Sequence, residues 1–357
     1  MMGWKRNMEK QVGSIPLNGE KRYQAFERKR KYLGWGLLLL LISSGIFALS
    51  QGAFPVSFHD FLGSVVIWNI RLPRILSALL VGGILGVSGA VMQTVLRNPL
   101  ASPFTLGISS GAAFGAAIAI VFLGSGQLQR TGITGVVIHN PYVVPLFAFI
   151  FSLMAVGMIL TLVKLRNVTP TAMILAGVAM SSFFQASTML IQLFSEDVKV
   201  AAVVFWTFGD VGRTNWTEIA ILGIGFLIIF SLFLSMRWQF NAMLSGDETA
   251  KSLGIDPEKL RLRSMVLASL ITSLSVSFAG IIAFIGLMAP HLVRLLIGGD
   301  HRHLIPYSVL MGSLLLILSD TFGRTILSPT IIPVGIITSF VGVPMLLYLL
   351  IKGQRYV

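Results

Sequence analysis

The sequence contains no cysteine, which excludes disulfides, thiolate metal sites and cysteine nucleophiles. Charge is scarce as well: 11% of the 357 residues are Asp, Glu, Lys or Arg, against about 25% in an ordinary water-soluble domain. One large water-soluble core does not account for that deficit. Lipid does, because an ionised side chain at the centre of a spanning helix costs roughly 2.5–3.5 kcal/mol. Acids are rarer than bases, 14 against 27, and apart from Asp320 none falls well inside an apolar run. That argues against a proton- or sodium-coupled carrier working alone, which needs buried carboxylates or broken helices around an ion site. Also missing are a G-x-x-x-x-G-K-[ST] phosphate loop, an H-E-x-x-H pair and a nucleophile elbow. The chain therefore neither hydrolyses ATP nor reads as an intramembrane enzyme. It carries no cofactor of its own, and any energy it uses comes from a partner.

What is present is apolar: 55% hydrophobic residues and a mean hydropathy of +0.83. A spanning helix needs about 20 mostly apolar residues. Candidates lie near 32–50, 72–96, 104–123, 142–163, 171–194, 217–236, 262–280, 281–297, 304–322 and 333–351. Helices are forced, since unpaired backbone groups are prohibitively costly in lipid and these runs are too long and continuous for barrel strands. The expected fold is all-α and polytopic, with about ten spans. The 36 glycines suit close contact between such helices.

The net charge of +13 invites a nucleic-acid reading, but its distribution does not. Nine of the 27 Lys and Arg residues lie in the first 31 positions, and most others sit in short connections. That is the positive-inside pattern of a membrane protein. The apolar run 33–49 lacks a small-residue cleavage pattern, so it is not a convincing signal peptide. Residues 1–31 read as a basic cytoplasmic tail, partly amphipathic or disordered, near anionic headgroups. Residues 32–357 form the transmembrane domain. With the N-terminus inside, 21 cations fall on the inner side and 6 on the outer, among them Arg71, Arg74, Arg213 and Arg324. Both termini are expected in the cytoplasm, with the chain in the plasma membrane.

A weak repeat supports a transporter. Arg71-Leu72-Pro73-Arg74 opens the second span, which runs to Gly89 and then Pro99. Arg261-Leu262-Arg263 opens the seventh, which runs to Gly280 and then Pro290. The two spans run in opposite directions, so spans 2–5 and 7–10 are expected to form an inverted repeat.

Three segments carry more information. In 71–115, Gly82, Gly83, Gly86 and Gly89 recur at helical spacing, and Asn98-Pro99 then breaks the helix; an ordinary polar surface turn would look the same. In 245–256, Asp247, Glu248 and Thr249 suit a helix start and Gly254 its end. This is either a solvated loop helix or a surface for a cytosolic motor. In 280–302, His291 follows Pro290 in mid-span and is expected to be neutral and hydrogen-bonded. His301 and His303 sit in a turn with metal-like spacing that surface pairs seldom use. Asp320 and Arg324, four residues apart, are expected to pair with each other or serve nearby polar groups.

With these residues in place, the chain resembles the FecCD-type permeases of iron-siderophore, haem and cobalamin importers driven by ATP-binding-cassette (ABC) subunits. The resemblance covers about 32–353. It rests on RLPR before a Gly-rich span, SGAVMQ, NPLASP, LGISSGA, LAGVA, GDETAKSLGI, FIGLMAPHLVRLLIGGDHR and IPVGIITSFVGVPMLLYLL, all in the family's order. It implies ten helices and a second permease copy, the same chain or a paralogue, around a central path. It also implies two cytosolic ATPases and an extracytoplasmic substrate-binding protein. It places binding-protein docking at Arg71, Arg74 and Arg324, and a cytoplasmic gate at Asn98, Leu100, Pro170 and Thr171. ATPase coupling falls to helices within about 241–258, at Gly246, Asp247, Glu248, Ala250, Leu253 and Gly254. Ferric siderophore is the first expected cargo, then haem, then cobalamin. In one departure, Ile331 replaces a glutamate common in relatives, which is expected to free Arg324 for an external carboxylate. An ion-coupled carrier and a non-transporting scaffold are the readings of other classes.

Overall fold

A computed structural model describes residues 17–52, 64–125, 128–131, 135–138, 141–166 and 169–353. The chain is a multi-pass helical membrane protein. Among the described residues, seven helices are long and apolar enough to cross a membrane, and three shorter apolar ones stand where the remaining spans are expected. In order the spans are α1 (Leu17–Ser50), α2 (Leu72–Val95), α3 (Ile108–Val121), α4 (Val143–Arg166) and α5 (Pro170–Leu193). After a short surface helix, α6 (Asp197–Thr207), comes the span α7 (Trp216–Ser235). Two short helices, α8 (Arg237–Leu244) and α9 (Asp247–Ser252), precede the spans α10 (Pro257–Ala279), α11 (Ile285–Ile297), α12 (His301–Thr325) and α13 (Val334–Gly353). Among the described residues the one sheet is an antiparallel hairpin between α3 and α4, β1 (Leu128–Thr131) with β2 (Gly135–Ile138). We call the end of the bundle where α1 starts and α13 finishes the tail face, and the opposite end the rim face.

The position expected to divide a tail from the first span is not a break, because α1 runs unbroken through residue 31. Its 34 residues would span about 50 Å, well beyond a ~30 Å hydrocarbon core. The tail residues before 17 lie outside the described residues.

Helix α2 is the central pillar. It packs on α12, α11, α10 and α7, and every residue from Val81 to Val95 is buried. The glycines make this possible. A Cβ on Gly82 would strike the backbone of Gly312, one on Gly86 the carbonyl of Ser308, and one on Gly89 the carbonyl of Gly286. Apolar residues gain nothing by leaving lipid for a neighbouring helix, so packing of this closeness is what holds spans together.

The inverted repeat appears in the packing. Helix α2 lies on α12 as α10 lies on α4, and α3 lies on α4 as α11 lies on α12. It does not follow the glycine–proline spacing that suggested it. Gly89 is interior to α2 whereas Gly280 caps α10, and Pro99 lies in a turn whereas Pro290 lies inside α11.

Candidate functional site

At the rim face, the three arginines expected to dock a partner are buried and engaged. Arg74 Nε donates to both oxygens of Asp320 (2.9 and 3.1 Å), and its Nη2 lies 2.8 Å from Asp320 and 3.1 Å from Asp210. Arg324 Nε donates to Asp320 Oδ2 at 3.0 Å, as its i, i+4 spacing suggested. The rest of its guanidinium reaches the Ala48 and Gln51 carbonyls at the end of α1. Arg71 Nη1 donates to Leu49 O at 2.6 Å. The expectation of a free Arg324 is therefore corrected: the loss of an acid at Ile331 is irrelevant to a guanidinium that Asp320 and two helix-end carbonyls already hold. These arginines tie the ends of α1, α2 and α12 together. Arg213 does the same for α6, donating to the carbonyls of Phe205, Trp206 and Phe208.

Beside this cluster, the 207–209 segment, Ile281, Ala283 and the first half of α13 line an open cavity of about 580 Å3. Its walls include Phe208, Ile281, Ile336, Phe340 and Val343, so it is mainly apolar.

At the tail face, α2 ends in the turn expected as a gate. Asn98 Oδ1 accepts from Leu100 N at 2.8 Å, and Ala101 N donates to Asn98 O at 3.0 Å. Such a side-chain turn is what an Asn before a Pro favours. Arg97 enters it with φ +49°, an uncommon left-handed conformation for a residue with a side chain. Leu100 is 40% exposed. The chain then makes a short 3-10 turn, Pro103–Leu106, and passes through Gly107 at φ +78° into α3. Pro170 and Thr171 open α5, with Thr169 as its N-cap. The structure links the two segments expected as a gate through the 3-10 turn, where Gly177 of α5 leaves room only for the Thr105 carbonyl.

The 241–258 region holds the end of α8, the whole of α9 and the start of α10. Gly246, at φ +106°, precedes α9, and Asp247 and Glu248 occupy its first turn, where the helix dipole favours acids. Helix α9 ends as its sequence suggests. Gly254, at φ +78°, donates to Lys251 O, and Ile255 N reaches Ala250 O, the paired bonds of a Schellman cap. Ala250 is buried, while Glu248 is exposed and Leu253 is 64% exposed.

Several side chains stand elsewhere than the sequence suggests. His301, read as a surface residue, is fully buried between Asn241 and Thr94, at 2.9 and 2.7 Å. His303 instead faces Glu27 at 3.3 Å, so the two imidazoles do not share a ligand. His291 makes no hydrogen bond to the described residues, against expectation. Arg261, expected to open the seventh span, is buried, donating to Val95 O at 2.8 Å and pairing with Asp247 at 3.1 Å. Its spacing from the α10 start, facing inward at the first turn, was the available signal. Asp300 gathers Arg302, Asn241 and Arg30. Burial pushes its carboxyl up, but the hydrogen bonds from Arg302 and Asn241 outweigh this and hold it well below the usual carboxylate range.

Comparison with known proteins agrees with this arrangement. A protein of Methanocaldococcus jannaschii named for a resemblance to ABC transporter permeases is 51% identical, with 94% of this chain and 99% of that one aligned. The hemin transport system permease of Yersinia pestis is 34% identical, over 91% and 97% of the two chains. A solved inward-facing structure of a metal-chelate type ABC transporter superposes with a TM-score of 0.80 at 31% identity, covering 90% of this chain and 99% of that one. Residues 38–352 match the model of the FecCD transport family. With that match spanning nearly all the helices described above, the chain belongs to the FecCD transport family, as an importer permease.

Proposed function

We propose that this permease carries a ferric siderophore into the cytoplasm by alternating access, driven by two cytosolic ATPase subunits and supplied by an extracytoplasmic binding protein. The tail face is the cytoplasmic one, in keeping with the 21-to-6 cation count. The observation that carries the reading is the α8–α9 pair. It projects exposed Glu248 and Leu253 from the tail face while its inner side is bonded to the spans. That is what a surface pushed by a separate motor requires. A second copy of the chain, or a paralogue, completes the path, and Asn98, Leu100, Pro170 and Thr171 close it on the cytoplasmic side. The binding protein docks on the rim face. Arg71, Arg74 and Arg324 meet its carboxylates only once they are released from their internal partners.

The cavity near α13 supports this choice of cargo class. Apolar walls suit a large chelate whose metal is already ligated, since strong ligands in the path would trap it. Haem is the second reading, favoured by the Yersinia relative.

Co-expression with the ATPase subunits tests the coupling surface. The ATPase co-purifies with the wild-type chain, and Glu248→Arg weakens that association. Equal binding by both would overturn the assignment. Proteoliposomes supplied with loaded binding protein and ATP should accumulate radioiron from a ferric siderophore in preference to hemin; preference for hemin would move the cargo to the second reading.

A further inference from the structure

Two polar bridges, buried where they reach α2, run from the α8–α9 pair to its last turn and land on adjacent residues. In the first, Asp300 accepts from the Asn241 amide at 2.9 Å. This fixes the amide so that Asn241 Oδ1 faces His301, where it meets the backbone N–H at 2.8 Å and Nδ1 at 2.9 Å. An amide oxygen only accepts, so Nδ1 carries the proton and Nε2, 2.7 Å from the Thr94 hydroxyl, is left as an acceptor that competes with Ala90 O at 2.9 Å for that hydroxyl's one proton. In the second, Asp247 of α9 holds the Arg261 guanidinium at 3.1 Å, and Arg261 Nε donates to Val95 O at 2.8 Å. His301, Thr94 and Arg261 are at most 5% exposed.

The surroundings make these bonds the connections that resist sliding. Phe240 and Met243 of α8 are buried beside the first bridge, with the Phe240 ring 5.6 Å from the His301 ring. Apolar contacts of that kind shear at little cost. A buried hydrogen bond does not, because a group left without its partner bears the desolvation penalty. Both bridges end just before the left-handed Arg97 and the Asn98 turn. Each of the two short helices has its own bridge, α8 through Asn241 and α9 through Asp247.

We infer that His301 and Arg261 are positioning residues of transport, passing the displacement of α8–α9 to the end of α2 and so to the Asn98 turn. This rests on the reading that α8–α9 receive the motor. The two helices then act through α2 directly, before any rearrangement of α5 or α13.

The test uses the complete complex of permease, ATPase and binding protein in proteoliposomes, reading radioiron imported from a ferric siderophore per ATP hydrolysed. His301→Leu and Arg261→Met should lower that ratio by about fivefold, the scale of a lost coupling contact, while the ATPase still co-purifies. His301→Gln, which keeps an acceptor toward Thr94, should restore part of it. Thr94→Val, close to isosteric, gives the same reading should His301→Leu fail to assemble. A residue that matters only for folding would lower import and hydrolysis together and leave their ratio unchanged, and that result would overturn the inference. Equal co-purification of the ATPase with wild type and with Glu248→Arg would instead refute the underlying reading of α8–α9.

Discussion

Asp320 shows how one carboxylate organises several helices. It accepts from Arg74 and Arg324 at once, with 2% of its own surface exposed. Removing its charge leaves two buried cations short of a partner, and breaking a buried pair from one side costs about 3–5 kcal/mol. Asp320→Asn should therefore lower the thermal midpoint in detergent sharply. Arg324→Gln should lower it less, because Arg74 still neutralises the acid; equal losses would show that the pairs are not coupled. Gly89 is the second such residue. A side chain there enters the space of the Gly286 carbonyl, so Gly89→Val must push α2 from α11. Overpacking of this kind costs about 1–3 kcal/mol, visible as reduced monodisperse yield and a lower midpoint.

At the scale of elements, how much could be read from sequence depended on what had to be satisfied within a segment. The seven long spans were legible because lipid demands a long apolar run from each such helix separately. The α9 cap was legible because Gly254 and the acids at 247–248 act within one turn. Helix α6 was not, since its 11 residues are too short for a span and carry Asp197 and Lys199. The arginine roles were half legible: the i, i+4 pair Asp320–Arg324 is local, whereas Arg74–Asp320 joins residues 246 apart in sequence. Nothing in the order of residues marks which distant carboxylate a guanidinium will reach. At this scale Gly254→Ala places a Cβ in a left-handed conformation, at a cost of about 1–2 kcal/mol. Limited proteolysis should cut 245–256 faster in that variant, with the spans unaffected.

At the scale of the molecule, Asp300 links stability to pH. Its folded pKa is depressed, so its contribution is complete above the ordinary carboxylate range, near pH 4. The contribution is lost as pH falls through the lower folded value. Acidification from about pH 6 to about pH 3 should lower the thermal midpoint of the wild type more than that of Asp300→Asn. An equal decline in both would remove Asp300 from the linkage. The same carboxylate touches α1 through Arg30, α8 through Asn241 and its own neighbour Arg302. Its loss would thus loosen three segments of the tail face together.

The mutual contact of Gly82 and Gly312, where either Cβ would strike the other residue's backbone, has a mechanical corollary. Two rods touching main chain to main chain have no side-chain cushion to compress, so α2 and α12 travel as a single stiff beam. Spin labels on one rod each should keep a constant separation through the nucleotide cycle, while a label pair from that beam to α5 should report a changing one.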